Sequence, residues 1–430
     1  MSASLRPKIR GRFRKISLLA SLGAMAASAL AACGSSSTSA STTTTKSSAS
    51  SGSVSKAPSG SPVVIHAILS ETGQGGFLGS RQAKGLQILA KQVNASRGID
   101  GHPVQMDILD NQTSPSTAVS LATPLIAQNV PFIPNGSIGA VDKAVDALAT
   151  PSGPLIYDLS PVEHPPAGSK IFSAGFSLSL EIQSDLTYFK SKGYTKIAAL
   201  TSTDASGVAG FSTLQQVMAE PQFSSLHLIS HQTFGDSDVS VTTQLSVIKA
   251  AKPQAMITWA TGTPLGTILQ GMSSLGMNNL PTTADSGNGS FAEMKQYSTI
   301  VPKDLYIAIG SLTVPASQLP AGPVQSAVAS FQSAVSEAGG TPGLGWGLAW
   351  DPASLLIGAL KKLGPNATSD QILNYMENLH NVPGVIGLYN TSASNHRGLT
   401  TSAVYLASWD GSKFVPVTGP GGVPSSSSGG

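Results

Sequence analysis

One stretch limits the possible folds more than any other. An apolar run, Val63–Leu69 (VVIHAIL), breaks off into a glycine-rich loop, Thr72–Gly79 (TGQGGFLG). Leu86, Leu89, Ala90 and Val93 then recur at i, i+3, i+4 and i+7, the spacing of one helix face. A turn at Arg97–Gly101 leads into a second strand, Pro103–Leu109. Strand, helix, strand over this length is a βαβ unit, with parallel strands and a right-handed crossover. Ligands of such sheets sit outside the carboxyl ends of the strands, so the loop 70–79 is placed at a binding edge.

At 430 residues, with 40% hydrophobic and only 11% charged residues, the chain suits two α/β lobes rather than one small domain. Its formal charge of +3 is concentrated at the start. Arg6, Lys8, Arg10, Arg12, Arg14 and Lys15 precede the first apolar run; without these six, 19 basic residues face 22 acidic ones. That mildly acidic body has no nucleic-acid footprint.

The single cysteine, Cys33, rules out an intramolecular disulfide. A basic segment, an apolar stretch from Ile16 to Leu30, and Leu30-Ala31-Ala32-Cys33-Gly34 have the architecture of a signal peptide with small residues at the cleavage point. The segment resembles a bacterial lipoprotein box, in which Cys33 would be lipidated; an ordinary secretory signal and an uncleaved anchor are the alternatives. Gly34–Ser61 is nearly all Ser, Thr, Ala and Gly, too polar to bury a core. As a flexible tether it would span roughly 30 Å r.m.s.. No other apolar run approaches the ~20 residues needed to cross a bilayer.

The β/α rhythm continues after Asn111, with helices expected at 116–128 and 138–149 and strands at 130–134 and 154–157. A second alternating series opens near Leu180, with strands at 196–200, 226–231, 255–259, 280–284 and 304–310. Helices at 323–338, 352–363 and 369–379 follow, then strands at 385–389, 403–408 and 413–416. Asp351-Pro352 reads as an N-cap with proline at the first helical position. Asp410-Gly411 reads as a hairpin turn. The tail from 419 to 430 is Gly, Pro and Ser and is expected to be disordered.

The opening stretch, with its Thr-Gly loop, Gly98-Ile99-Asp100-Gly101 turn and second strand, resembles the amino end of bacterial solute-binding proteins of the leucine/isoleucine/valine-binding type, the receptor components of ABC importers. Further segments resemble that family in order: Lys192–Ala198 (KGYTKIA), Gly345–Pro352 (GWGLAWDP), Val385–Tyr389 (VIGLY) and the closing Trp409–Pro416 (WDGSKFVP). The likeness covers roughly residues 62–418. It implies a type I periplasmic-binding-protein fold: two doubly wound Rossmann-like lobes joined by three crossover strands. Crossings are expected near 176–179, 308–311 and 398–402. Lobe 1 would be 62–177 plus 310–398, and lobe 2 would be 178–309 plus 399–418. A ligand would bind in the cleft between them and be trapped by hinge closure.

The resemblance also implies where a ligand carboxylate would sit. Asn135–Gly139 lies between a strand and a helix, so Gly136, Ser137 and Ile138 present backbone N–H groups at a helix start; Ser137 matches the family's ligand-binding serine, although N-capping would explain it equally. Ser160 stands approximately where the family has a ligand-binding threonine. Leu78 and Ser206 replace aromatic residues common in amino-acid binders. Asp285 is the candidate partner for an α-ammonium, and Glu71 stands where an apolar residue is usual. Thr261, Gly262 and Thr263 follow a strand end and, with Phe77, complete the candidate lining.

Enzymatic readings have less to rest on. The histidines at 66, 102, 164, 227, 231, 380 and 396 offer no metal-ligand pair at helical spacing. No Gly-x-Ser-x-Gly elbow occurs. The glycines at 73, 75, 76 and 79 do not spell a dinucleotide fingerprint, although Asp110 lies close to the ribose-binding position. The expectation is a monomeric, lipid-anchored, extracytoplasmic receptor that delivers a small polar or amphipathic solute (amino acid, amide or carboxylic acid) to an ABC permease, with no cofactor, metal or catalytic residue. A ligand sensor or co-receptor on the same fold, and a secreted α/β enzyme, are the alternatives.

Overall fold

The computed structural model describes residues 57–161 and 164–422, with the backbone alone at 292 and 293. Cys33 and most of the expected tether lie outside the described residues. The first sheet holds β1 (Val63–Leu69), β2 (Val104–Asp110), β3 (Phe132–Gly136), β4 (Leu155–Asp158) and β5 (Ile171–Ser173). They run in the order β2-β1-β3-β4-β5, and every pairing is parallel. Helices α1 (Gly76–Ala95), α2 (Pro115–Ala127) and α3 (Gly139–Asp146) connect its first strands.

A parallel sheet must be covered on both faces, and β1 shows how. Ile65, Ala67 and Leu69 pack with Leu86, Leu89 and Val93 of α1. Ile68 points the other way, to Ala118 and Ala122 of α2 and Val141 and Val145 of α3. Full burial of a side chain such as Leu86 stabilises by about 1.5–3 kcal/mol.

The second sheet repeats the plan. Strands β6 (Lys196–Ser202), β7 (His227–Phe234), β8 (Ala255–Trp259), β9 (Thr282–Ala284) and β10 (Leu305–Gly310) are parallel in the order β10-β9-β8-β6-β7. Helices α4 (Leu178–Ser191) and α5 (Ala205–Met218) bury Ile182, Leu186 and Leu214 on one face. Helices α6 (Thr242–Ala251) and α7 (Thr263–Ser274) bury Leu245, Ile248, Ile268 and Met272 on the other. A short α8 (Phe291–Gln296) leads towards β10.

After β10 the chain returns to the first sheet as α9 (Pro323–Glu337), α10 (Leu344–Leu363) and α11 (Ser369–Met376). Helix α10 is apolar nearly all round and packs along α1, where Gly85 lets the Trp346 carbonyl come close. A small antiparallel pair, β11 (Val382–Pro383) and β12 (Leu388–Tyr389), precedes the last passage into the second sheet. There β13 (Val404–Trp409) pairs antiparallel with β10, and β14 (Phe414–Pro416) with β13. Gly411 makes the β13–β14 turn at φ +97°.

Several expected details are corrected. Helix α1 starts at Gly76, so Phe77, Leu78 and Gly79 lie in its first turn and not in a loop. A Cβ on Gly79 would stand 2.0 Å from the Ser70 carbonyl oxygen, so glycine is what lets this turn close on β1. Asp351 is no N-cap, because α10 begins seven residues before it, at Leu344, which places Pro352 inside the helix. Buried Asp351 instead accepts hydrogen bonds from Val385 N (2.7 Å), Ile386 N (2.9 Å) and Tyr389 Oη (3.0 Å), tying α10 to the segment expected as one strand. Those bonds divert the backbone at 385–386, leaving only Leu388–Tyr389 extended in β12. The expected helix 138–149 ends at Asp146. At the two ends of the body, Ser59 and Gly60 donate to the Gly101 carbonyl, and Gly421 accepts from Leu406 N.

Candidate functional site

The carboxyl ends of both sheets finish in loops whose polar groups are buried and interlocked. On the first sheet, Ser137 follows β3. Its Oγ donates to Gln82 Oε1 of α1 at 2.5 Å and accepts from Ser70 N, just past β1, at 3.1 Å. Gln82 Nε2 continues to the Leu159 carbonyl past β4 (3.1 Å), and Ser70 Oγ donates to Asn111 Oδ1 past β2 (2.8 Å). Four strand ends are joined by neutral groups, all buried. Gly136 makes the approach possible: its φ is +96°, and a Cβ there would fall on the Asp142 carboxylate. No side chain caps the amino end of α3, where Ile138 is the N-cap residue, nor that of α1.

On the second sheet a carboxylate is the centre. Asp285, just past β9, accepts from Ala260 N (3.2 Å), Thr261 Oγ1 (2.9 Å), Gly287 N (3.1 Å) and Asn288 Nδ2 (2.7 Å). Asn288 Oδ1 in turn accepts from Gly262 N at 2.8 Å. Burial pushes the Asp285 carboxyl up to about 6, against the pull of these donors. Two more buried carboxylates from α4 lie near it. Glu181 accepts from Ser286 N at 2.5 Å, and Asp185 lies against Thr283; burial first, then the neighbouring acids, holds both well above the usual carboxylate range. Ser206, in the first turn of α5, accepts from Trp259 Nε1 at 3.3 Å.

The two edges meet. Arg81 of α1 donates from Nη2 to Ser290 Oγ, beyond β9, at 3.3 Å. The amino end of α10 packs against the turn 286–288, and α3 approaches α5. A cavity of about 310 Å³ lies at this junction, with Arg81, Ser290, Lys295, Gly343 and Trp346 in its wall.

A profile of the family described as "Periplasmic binding protein" matches residues 62–413. The chain belongs to this family. Solved structures share the fold of this binding protein at low identity. An extracellular ligand-binding receptor from Rhodopseudomonas palustris HaA2 has a TM-score of 0.74 and 18% identity, covering 83% of this chain and 99% of that one. A branched-chain amino acid transporter substrate-binding protein from Streptococcus pneumoniae, in complex with isoleucine, gives 0.70 and 19%, covering 82% and 99%. A fatty acid ABC transporter substrate-binding protein from Thermomonospora curvata gives 0.68 and 17%, covering 83% and 91%. Comparison with curated proteins gave no match. The type I resemblance and the two-lobed α/β fold read from the sequence are borne out. The family and these neighbours are solute-binding receptors, not enzymes.

Within this binding protein the candidate residues fall into groups. Gly136, Ser137 and Ile138 come together with Ser70 and Gln82 on one edge. Thr261, Gly262 and Asp285 form one cluster on the other, joined by Asn288, with Thr263 opening α7. Ser206 belongs to a separate contact with Trp259, and Phe77 and Leu78 sit half-buried on α1. Ser160 is buried past β4, and its carbonyl accepts from Ser173 Oγ. Glu71 is half-buried, its carboxyl raised by burial and by the nearby Asp110. Asp110 is occupied by its own loop: burial raises it, but hydrogen bonds from Thr72, Gln112 and Glu71 outweigh that and hold it low. It is committed to local structure and not to a ribose.

Among the described residues no His, Cys, Asp or Glu group could hold a metal ion, and no helix is long and apolar enough to cross a membrane. Two of the histidines are held in structural contacts. His396 bonds Glu377 and the Ile171 carbonyl and stacks on Phe172, while His231 stacks on Phe211.

Sequence reading missed Gln82, Glu181, Asp185, Asn288 and Arg81. For three of them a signal existed. Gln82 interrupts the apolar stripe of α1, four residues before Leu86, and Glu181 and Asp185 share a stripe with Phe189 at i, i+4 and i+8.

Proposed function

We propose that this chain is a lipid-anchored, extracytoplasmic receptor that captures a small amphipathic carboxylate between its lobes and delivers it to an ABC permease. The lobes would divide at 62–177 plus 310–398 and 178–309 plus 399–418, with Cys33 carrying the anchor and Gly34–Ser61 the tether. The observation that carries the reading is the pairing of two strand-end edges of unlike chemistry, one of neutral donors and one centred on Asp285. A solute carboxylate would meet the side-chain-uncapped start of α3 near Ser137 and Ile138, where backbone N–H groups and the helix dipole favour an anion. Thr261, Ser206 and the Asp285 loop would contact its other end. Of the solved structures that share the fold, one holds isoleucine and another is the substrate-binding protein of a fatty acid transporter; these solutes share a carboxylate on an apolar body, which supports the class. Binding would need no chemistry beyond donors, an apolar wall and a hinge.

The test is a thermal-shift screen of amino acids, short amides and carboxylic acids from acetate to long-chain fatty acids. A ligand present at 100-fold its Kd should stabilise by about 2.7 kcal/mol. If a folded protein keeps its melting temperature with every member of the panel, the receptor reading fails. Cys33→Ser should move the protein out of the membrane fraction; unchanged association would remove the lipid anchor from the proposal.

A further inference from the structure

A cavity stands at the opposite end of the first sheet, away from the lobe junction. It has a volume of about 450 Å³, within the ~300–1,000 Å³ typical of small-molecule sites. Its wall is built from the segments that immediately precede three strands, Pro131 before β3, Pro154 before β4 and Lys170 before β5, together with the turn entering α11. Ile126, Val130, Pro131, Pro154 and Pro365 make an apolar side.

Lys170 is the chemical centre. Its side chain is only 7% exposed, and Nζ donates to the Gly153 carbonyl (3.1 Å), Ser369 Oγ (3.2 Å) and Asp370 Oδ1 (2.5 Å). The countercharge is differently placed, because the Asp370 side chain is 81% exposed. A buried ammonium therefore depends on a carboxylate that water surrounds. A carboxylate that replaced Asp370 would keep a countercharge on the buried ammonium while the exposed Asp370 side chain returned to water, so the exchange leaves no buried charge unpaired. Asp370 can leave without undoing its helix, since α11 is capped by Thr368 and Gln371 in a reciprocal capping box.

We propose that this cavity is a second binding site, for a monocarboxylate with a short apolar chain, whose carboxylate takes the place of Asp370 on Lys170. The apolar tail lies along the Ile126, Val130 and Pro131 wall. The site is independent of the interlobe cleft, so an unoccupied or unidentified cleft ligand leaves it unaffected.

Methyl NMR shifts of Ile126 and Val130 during titration with sodium hexanoate test this directly. The protein should show saturable shifts. Asp370→Asn removes the competing charge and should lower the half-saturation concentration by about threefold or more, by the worth of an exposed ion pair. Lys170→Met should abolish the saturable response. Asp370→Asn keeps the volume of an exposed side chain and an oxygen that can accept from Lys170, so it serves as the second variant if Lys170→Met does not fold, and circular dichroism checks both. Absence of saturation in Asp370→Asn, or an unchanged midpoint, overturns the proposal. So does a folded Lys170→Met protein that titrates like the parent.

Discussion

The carboxyl edges of the two sheets are stitched by different chemistry. On the first, hydroxyl and amide groups hand bonds across four strand ends, at Ser70, Asn111, Ser137 and the Leu159 carbonyl, with Gln82 of α1 between them. On the second, one carboxylate gathers four donors, and two further buried acids lie near it. The neutral stitching keeps its strength as pH changes, whereas the acidic one does not. The same fold plan has therefore been given one edge whose strand ends are joined by neutral groups and one centred on a carboxylate.

The largest expected effect tests that contrast. Asp285 has its carboxyl raised from 3.8 to about 6 by burial. A raised folded-state pKa for an acid means the fold favours the protonated form. Its stabilising contribution is fully present below about pH 4 and is lost as pH rises through about 6. The gap of roughly two units amounts to about 3 kcal/mol, and Glu181 and Asp185 act in the same sense. Urea unfolding from pH 4 to 8 should show stability falling across this window. In Asp285→Asn the curve should be lower in acid, because an amide cannot accept all four bonds, and flatter by about 3 kcal/mol between pH 4 and 7. Parallel curves for the two proteins would mean that Asp285 does not titrate in the fold.

Ser137→Ala probes the neutral edge. It leaves Gln82 Oε1 and Ser70 N without their buried partner, at a cost of about 1–3 kcal/mol. The loss should be the same at pH 5 and pH 8, which distinguishes it from the Asp285 variant. A loss that grew with pH would show that a titrating group of the first edge, such as Glu71, is coupled to Ser137 and would erase the contrast. Solute affinity should fall as well, because the bonds to Ser137 help to place the start of α3.

Strand ends were legible because β/α periodicity is a local signal: Val63–Leu69 falls on β1 residue for residue. What proved illegible depended on partners far along the chain. Asp351-Pro352 looks like a helix start, yet the carboxylate is used by Val385, Ile386 and Tyr389, more than thirty residues on. The burial of α10 on α1 carries the helix through a proline whose local preference is to begin one. Asp285 could be picked out from its position after a strand, but its four donors come from two loops. Gln82 was overlooked because a polar residue in an apolar stripe acquires its meaning only when the strand ends that it joins are known.

The smallest effect concerns how the edges are held together. Arg81 reaches from α1 to Ser290 Oγ at 3.3 Å, a long and partly exposed bond between elements of different sheets. Its removal in Arg81→Ala should cost stability no more than about 1 kcal/mol, the scale of exposed charged contacts. If the lobes close on a solute, this contact favours the closed arrangement, and losing it reduces the competent fraction without altering the site. Affinity should then weaken by about threefold, which corresponds to roughly 0.65 kcal/mol. The pH profile set by Asp285 should remain in place. Titration calorimetry at pH 5 and 8 separates the cases, since a change confined to one pH would place Arg81 within the acidic edge's electrostatics and not in the contact between lobes.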